Sequence, residues 1–189
     1  MPASVSISRN VLILQHPQEQ DVLLGSVPLL LVGMPTAEKV VGLSWPSFSA
    51  ALGYDDTPEG WVVLYPSSLK RELTAEEQAK PALFLDRGCN EIKPKAVRGV
   101  IALDGTWSQA KALWWRNPWL LKLGRAIVHP KEPSIYGRMR KEPKRTYVST
   151  LEAVALVLDG LGEDPEIGKE LRRNFRRMVQ RVRDGSPPL

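Results

Sequence analysis

Short apolar runs that stop abruptly at proline, glycine or small polar residues set the rhythm of this chain. Val11-Leu-Ile-Leu14 halts at Gln15-His16-Pro17, Trp61-Val-Val-Leu-Tyr65 at Pro66-Ser67-Ser68, and Arg98-Gly-Val-Ile-Ala-Leu103 at Asp104-Gly105. Such runs, rich in β-branched residues and bounded by turn formers, predict buried strands. Lys39-Val-Val-Gly-Leu43 and Ala126-Ile-Val128 are further strand candidates, and Pro81-Ala-Leu-Phe-Leu85 is a strand or a buried turn. Between the runs the spacing becomes helical. Trp107, Ala110 and Trp114 recur near i, i+3 and i+7, and Ile167, Leu171, Phe175, Val179 and Val182 form a longer stripe after Asp164-Pro165. Gly25 to Gly33 predicts a short helix constrained by Pro28, and Leu151 to Leu158 another that ends near Gly160.

Three helix starts carry capping boxes, in which a hydroxyl residue and a Glu or Gln three positions later satisfy each other's exposed N–H groups: Thr74/Glu77, Thr106/Gln109 and Ser149/Glu152. The second box follows the strand ending at Leu103. With Thr106 as N-cap, Asp104 lies beside the positive end of the next helix, where an ionised carboxylate is favoured, and Gly105 permits the tight turn. That helix should stop near Arg116, because Asn117 precedes a proline. Tyr147-Val148 feeding Ser149 reads as a second junction of strand, cap and helix. Asp104 and Trp107 are either structural, supporting the turn and filling core, or the centre of a site. Trp114, Trp115 and Trp119 either pack together in the core or offer a platform for an unstacked base. His16 and Glu19 sit on a loop at a strand end, the side of an α/β sheet where ligands collect. There His16 orients substrate or Glu19, or simply hydrogen-bonds its loop.

Composition narrows the class. A chain of 189 residues with 43% hydrophobic and 25% charged residues builds a full core, so disorder and fibrous classes are excluded. The single Cys89 excludes an intrachain disulfide, and two histidines without an HxxxH or CxxC pair point to no metal. No apolar run reaches the roughly 18 residues of a membrane span, and no basic-then-apolar leader opens the chain, so the expected location is cytoplasmic. Residues 1–90 hold six Lys/Arg against ten Asp/Glu, whereas residues 91–189 hold twenty against eleven. This polarity is the footprint of a polyanion binder, or else a solvated basic face. Arg138, Arg140, Lys141, Lys144 and Arg145 crowd one loop and suit phosphate contacts, which position RNA without reading it. Arg172, Arg173, Arg176 and Arg177 line the polar face of the last helix. No internal repeat, Gly-rich nucleotide fingerprint or GxSxG nucleophile motif is present.

Taken in order, five motifs resemble the DTW-domain proteins, which are similar to the tRNA-uridine aminocarboxypropyltransferases: Ile13-Leu14-Gln15-His16-Pro17 with Glu19, Leu64-Tyr65-Pro66-Ser67, Leu103-Asp104-Gly105-Thr106-Trp107 with Gln109-Ala110, Arg140-Lys141-Glu142-Pro143, and Ser149-Thr150-Leu151-Glu152-Ala153. They span residues 11–160 or so. Many members carry an amino-terminal cysteine cluster resembling a zinc-binding module. This chain instead begins almost at its first strand, and the segment around Tyr136 and Arg138 is about one residue out of register.

The resemblance implies a SPOUT-like α/β fold: a mostly parallel sheet flanked by helices, with a carboxyl-terminal trefoil knot. A catalytic domain would cover residues 1–162, and a basic helix at 163–189 would pack on it. The loops after Tyr65, Leu103 and Val148 would converge to bind S-adenosylmethionine through Tyr65, Pro66, Ser67, Leu103, Asp104, Gly105, Ser149, Thr150, Leu151, Glu152 and Ala153. Asp104, Thr106 and Trp107 would be catalytic, with Asp104 the base or the group that orients the uracil edge. His16, Glu19 and the loop and helix cations named above would hold tRNA. The implied reaction moves the 3-amino-3-carboxypropyl group to N3 of a uridine. Its rivals are a methyltransferase of the same fold and a non-enzymatic RNA-binding module. The sequence names no obligate protein partner and fixes no oligomeric state.

Overall fold

Valine-, isoleucine- and leucine-rich runs form the strands of the computed structural model, which describes residues 9–64, 72–137, 139 and 147–187. In chain order these are β1 (Asn10–Gln15), α1 (Val27–Gly33), β2 (Ala37–Val41), α2 (Phe48–Leu52), β3 (Trp61–Leu64), α3 (Ala75–Ala79), β4 (Ala82–Leu85), β5 (Gly99–Asp104), α4 (Trp107–Arg116), β6 (Gly124–Val128), α5 (Thr150–Leu161) and α6 (Pro165–Arg183). Short 3-10 turns at Pro17–Glu19, Pro94–Ala96 and Pro118–Lys122 each begin at a proline. The strands make one six-stranded sheet in the order β2-β1-β5-β3-β6-β4. All neighbours are parallel except β4, which runs antiparallel to β6 at one edge. The candidate at 81–85 is therefore a strand.

The unbroken apolar run of β5 follows from its place in the sheet: it is central, paired on both sides, and every one of its residues is buried. Parallel sheets covered on both faces lose the apolar-polar alternation of a half-exposed strand. On one face Val11, Ile13 and Ala102 pack under α1, α5 and α6. On the other Leu12, Leu14, Ile101 and Leu103 pack under α2, α4 and the 118–122 turn. Helix α5 is buried along most of its length because β4, β5 and β6 cover one side and α6 the other. Its Gly160 approaches β4 so closely that a Cβ there would lie 2.9 Å from Ala82 Cβ. The helix stops two residues beyond the expected point, at Gly162, whose φ of 77° makes the left-handed cap.

Two sequence expectations change. Residues 147–149 form no strand, so α5 is entered from a loop and not from a second strand-cap-helix junction. The aromatic cluster also differs: Trp61 and Trp119 meet the Phe48 ring edge-on at 5.1 and 6.0 Å. Trp114 is buried and sits 5.7 Å from the Arg125 guanidinium, while Trp115 is 62% exposed. A helix turns by about 100° per residue, so adjacent tryptophans cannot share one face. No described helix is long and apolar enough to cross a membrane.

Candidate active site

Strand register determines which way Asp104 faces. Gln15 and Asp104 are Cα partners at the ends of β1 and β5. Alternation points both side chains to the face of Val11, Ile13 and Ala102, beneath α5. The chain itself then turns through Gly105 onto the opposite face as α4. Consequently the Asp104 carboxylate is hydrogen-bonded at the start of α5, not at the start of the helix that follows it. Thr150 Oγ1 donates to Oδ1 at 2.6 Å, and Gln15 Nε2 donates to Oδ2 at 2.8 Å. The Asp104 carbonyl accepts the His16 N–H at 2.9 Å, carrying the ladder one residue past β1. Asp104 is 7% exposed and Gln15 3%. The buried Oε1 of Gln15 has no hydrogen-bond partner among the described residues.

Around this pair the loops are fixed by their own polar groups. The Thr106 N–H donates to Gln109 Oε1 at 2.6 Å, and Gln109 N–H donates to Thr106 Oγ1 at 3.4 Å, closing the expected capping box. Gln109 Nε2 reaches across to Gln18 Oε1 at 3.1 Å and ties α4 to the loop after β1. His16 caps that loop, its Nδ1 accepting from Gln18 N–H at 3.3 Å, while Glu19 is buried behind it. Trp107 lies against Tyr147, ring centroids 5.0 Å apart and planes inclined at 42°. Burial pushes the Tyr147 hydroxyl above its ordinary range, so it stays protonated at neutral pH.

Helix α5 begins at a denser knot. Glu152 Oε2 accepts from Ser149 N–H and from Ser134 Oγ, both at 2.9 Å, and Oε1 accepts from Ile135 N–H at 2.8 Å. Ser149 Oγ accepts the Glu152 N–H at 3.1 Å, and Leu151 N–H donates to buried Ser26 Oγ at 3.3 Å. Glu152 thus brackets the chain on both sides of residues 136–148. Next in chain, Tyr136 is buried edge-on against Phe175, its hydroxyl donating to the Leu24 carbonyl at 2.6 Å.

With this arrangement in view, the family described as DTW domain matches residues 1–183. The chain belongs to the DTW family. Among curated relatives, tRNA-uridine aminocarboxypropyltransferase 2 of Mus musculus is 30% identical over 89% of this chain and 53% of its own length. The proteins of the same name from Macaca fascicularis and Drosophila melanogaster are 29% and 28% identical over 88% and 89% of the chain. The chain spans about half the length of the mammalian relatives, 52% and 53%, and 62% of the fly protein. No solved structure matches.

Of the site residues expected for a DTW protein, the structure brings together Leu103, Asp104 and Gly105 with Ser149, Thr150, Leu151, Glu152 and Ala153, joined by the bond between Asp104 and Thr150. Thr106, Trp107, His16 and Glu19 border them. Tyr65, Pro66 and Ser67, like Arg138, Arg140, Lys141, Lys144 and Arg145, lie outside the described residues; Leu64, just before Tyr65, stands opposite Ala102 of β5. The α6 arginines are not equivalent. Arg172 bonds Asp159 of α5 at 2.9 Å, Arg176 comes within 3.7 Å of Glu132, and Arg173 and Arg177 are exposed. Gln15 and Tyr147 were given no role by the sequence. The available signal for Gln15 was a polar residue closing an otherwise apolar buried strand. Among the described residues no group of three or more His, Cys, Asp or Glu is placed to hold a metal ion.

Proposed function

We propose that this DTW protein transfers the 3-amino-3-carboxypropyl group of S-adenosylmethionine to N3 of a uridine in tRNA. The observation that carries the reading is an acidic side chain held rigidly at the carboxyl edge of a parallel sheet, with donors from β1 and α5 fixing both oxygens of Asp104. Ligands of open α/β sheets collect at that edge. The name shared by the relatives supplies the reaction class.

In the proposed step a bond forms between uracil N3 and the terminal carbon of the aminocarboxypropyl chain. The bond from that carbon to sulfur breaks, and sulfur keeps the electron pair as neutral methylthioadenosine. The N3 proton leaves to solvent or a base. No covalent enzyme intermediate is needed. Positioning is then the principal task, since aligned reactants gain most of what catalysis requires here. A carboxylate pinned by two elements favours an orienting role for Asp104 over a mobile proton shuttle. The donor's own carboxylate is assigned to the start of α4. At α5 the Leu151, Glu152 and Ala153 amides are already bonded, to Ser26 Oγ, Ser149 Oγ and the Ser149 carbonyl. At α4 the matching Gln109 and Ala110 amides are bonded to Thr106 Oγ1 and the Thr106 carbonyl, so the difference rests on the position of Ser108, which has no counterpart, among the described residues, of the bond from Leu151 to Ser26.

Trp107 and Tyr147 would wall the pocket, and the tRNA would lie over the basic segment at 138–145 and the α6 arginines. A cytoplasmic enzyme on a SPOUT-like chain path, with a trefoil knot near its carboxyl end and its basic helix packed on residues 1–162, completes the proposal. The test is incubation with S-adenosylmethionine and unmodified tRNA, followed by nucleoside mass spectrometry. Aminocarboxypropyl-uridine with methylthioadenosine is the expected outcome. A methylated nucleoside with S-adenosylhomocysteine would make the protein a methyltransferase, and tRNA binding without donor binding would make it an RNA-binding module.

A further inference from the structure

Building on that reading, we propose that Gln15 and Asp104 form the subsite for the primary ammonium of the transferred group. The hydrogen-bonding capacity of the pair is only partly used. An ionised carboxylate offers about four acceptor positions, of which the Asp104 partners Thr150 and Gln15 fill two. The Gln15 amide is oriented by the same contact: an ionised carboxylate only accepts, so the NH2 faces Asp104 and Oε1 faces away. That oxygen is buried and has no partner among the described residues. A buried acceptor without a donor is costly enough that native proteins rarely leave one, and at a sheet edge where ligands bind it marks a missing donor. The single hydrogen of the Thr150 hydroxyl is already spent on Asp104. Apart from the second hydrogen of the Gln15 amide, the unused capacity of the cluster is acceptor capacity carrying a negative charge.

The groups in the proposed reaction differ in how they meet that capacity. The hydrogen-bonding edge of uracil reads acceptor, donor, acceptor, so two of its three positions would oppose the oxygens of Asp104 and Gln15. The donor's carboxylate would be repelled. Its ammonium has three N–H donors, no acceptor and a positive charge, and it complements the pair at every position. Gripping the ammonium fixes the four-carbon amino-acid chain relative to the sulfonium.

Calorimetry on the full chain tests this with three probes: S-adenosylmethionine, its analogue lacking the amino group, and methylthioadenosine, which lacks the whole chain. The wild type should bind S-adenosylmethionine about tenfold or more tighter than the deamino analogue, the size expected for hydrogen bonds to a charged group. Gln15→Met keeps length and removes the acceptor; it should erase most of that gap while leaving methylthioadenosine affinity unchanged. Where that variant fails to fold, Gln15→Asn withdraws the same amide by one methylene and should narrow the gap. The subsite is overturned if the wild type shows no gap, if the variants preserve it, or if methylthioadenosine weakens in parallel. Wild-type protein that binds none of the three probes refutes the donor itself, an outcome distinct from binding without discrimination.

Discussion

Asp104 combines a local feature with a distant one. Its place before Thr106 follows from a capped turn three residues long, but its carboxylate is defined by Gln15, 89 positions away, and Thr150, 46 positions away. Asp104→Asn keeps the shape and removes the charge. The fold should survive with a loss of about 1–3 kcal/mol in chemical denaturation, because one of the two donors then meets an amide NH2. Transfer should fall on the order of 100-fold, measured as aminocarboxypropyl-uridine, since the fixed charge that positions the donor's amino-acid chain is lost. Gly105 tests the turn. A Cβ there would sit 2.8 Å from Gln109 Cβ and 3.0 Å from Gln109 Oε1. Gly105→Ala should force the capping box apart, cost roughly 1–3 kcal/mol by thermal unfolding, and reduce transfer by displacing Asp104. Aspartate, glycine and threonine were legible because their reasons lie within one turn of chain. Gln15 was not, because a glutamine closing a strand looks unremarkable until its register partner is known.

Among the elements, all three capping boxes form as the sequence requires, since a box needs only residues three apart. What α5 does beyond its own cap was hidden. Glu152 also holds Ser134 and Ile135, so one carboxylate closes both the helix start and the chain entering the basic segment. Glu152→Ala should therefore cost roughly 2–4 kcal/mol in urea denaturation, well beyond the typical 1 kcal/mol of a cap, by stranding buried donors. Were Glu152 instead a direct ligand of S-adenosylmethionine, Glu152→Gln would weaken donor binding while leaving stability unchanged. The expected result is the reverse order: stability falls first. Tyr147-Val148 illustrates the opposite failure. A β-branched residue before a cap resembles a strand end, but a strand needs a neighbour to pair with, and the described residues provide none there.

At the scale of the molecule, the charge asymmetry separates into cations that hold the fold and cations that face solvent. Arg172 ties α6 to α5 through Asp159, whereas Arg173 and Arg177 are exposed. Replacing Arg173 and Arg177 with Ala should leave the melting temperature unchanged and flatten the salt dependence of tRNA binding, by roughly 0.7–0.9 in log–log slope for each phosphate that is no longer neutralised. Arg172→Ala should instead lower the melting temperature. An unchanged slope for the double variant would place the RNA away from α6.

The sequence by itself determined most of the strands, the three capping boxes and where the cations concentrate, because apolar periodicity, capping chemistry and charge are all local properties of the chain. Tertiary structure alone decided that β1 and β5 are neighbours in a register pairing Gln15 with Asp104, and that α5 covers that face. Those outcomes depend on strand order and side-chain alternation across residues far apart in sequence. They turn a capped strand end into an anchored anion with an acceptor beside it.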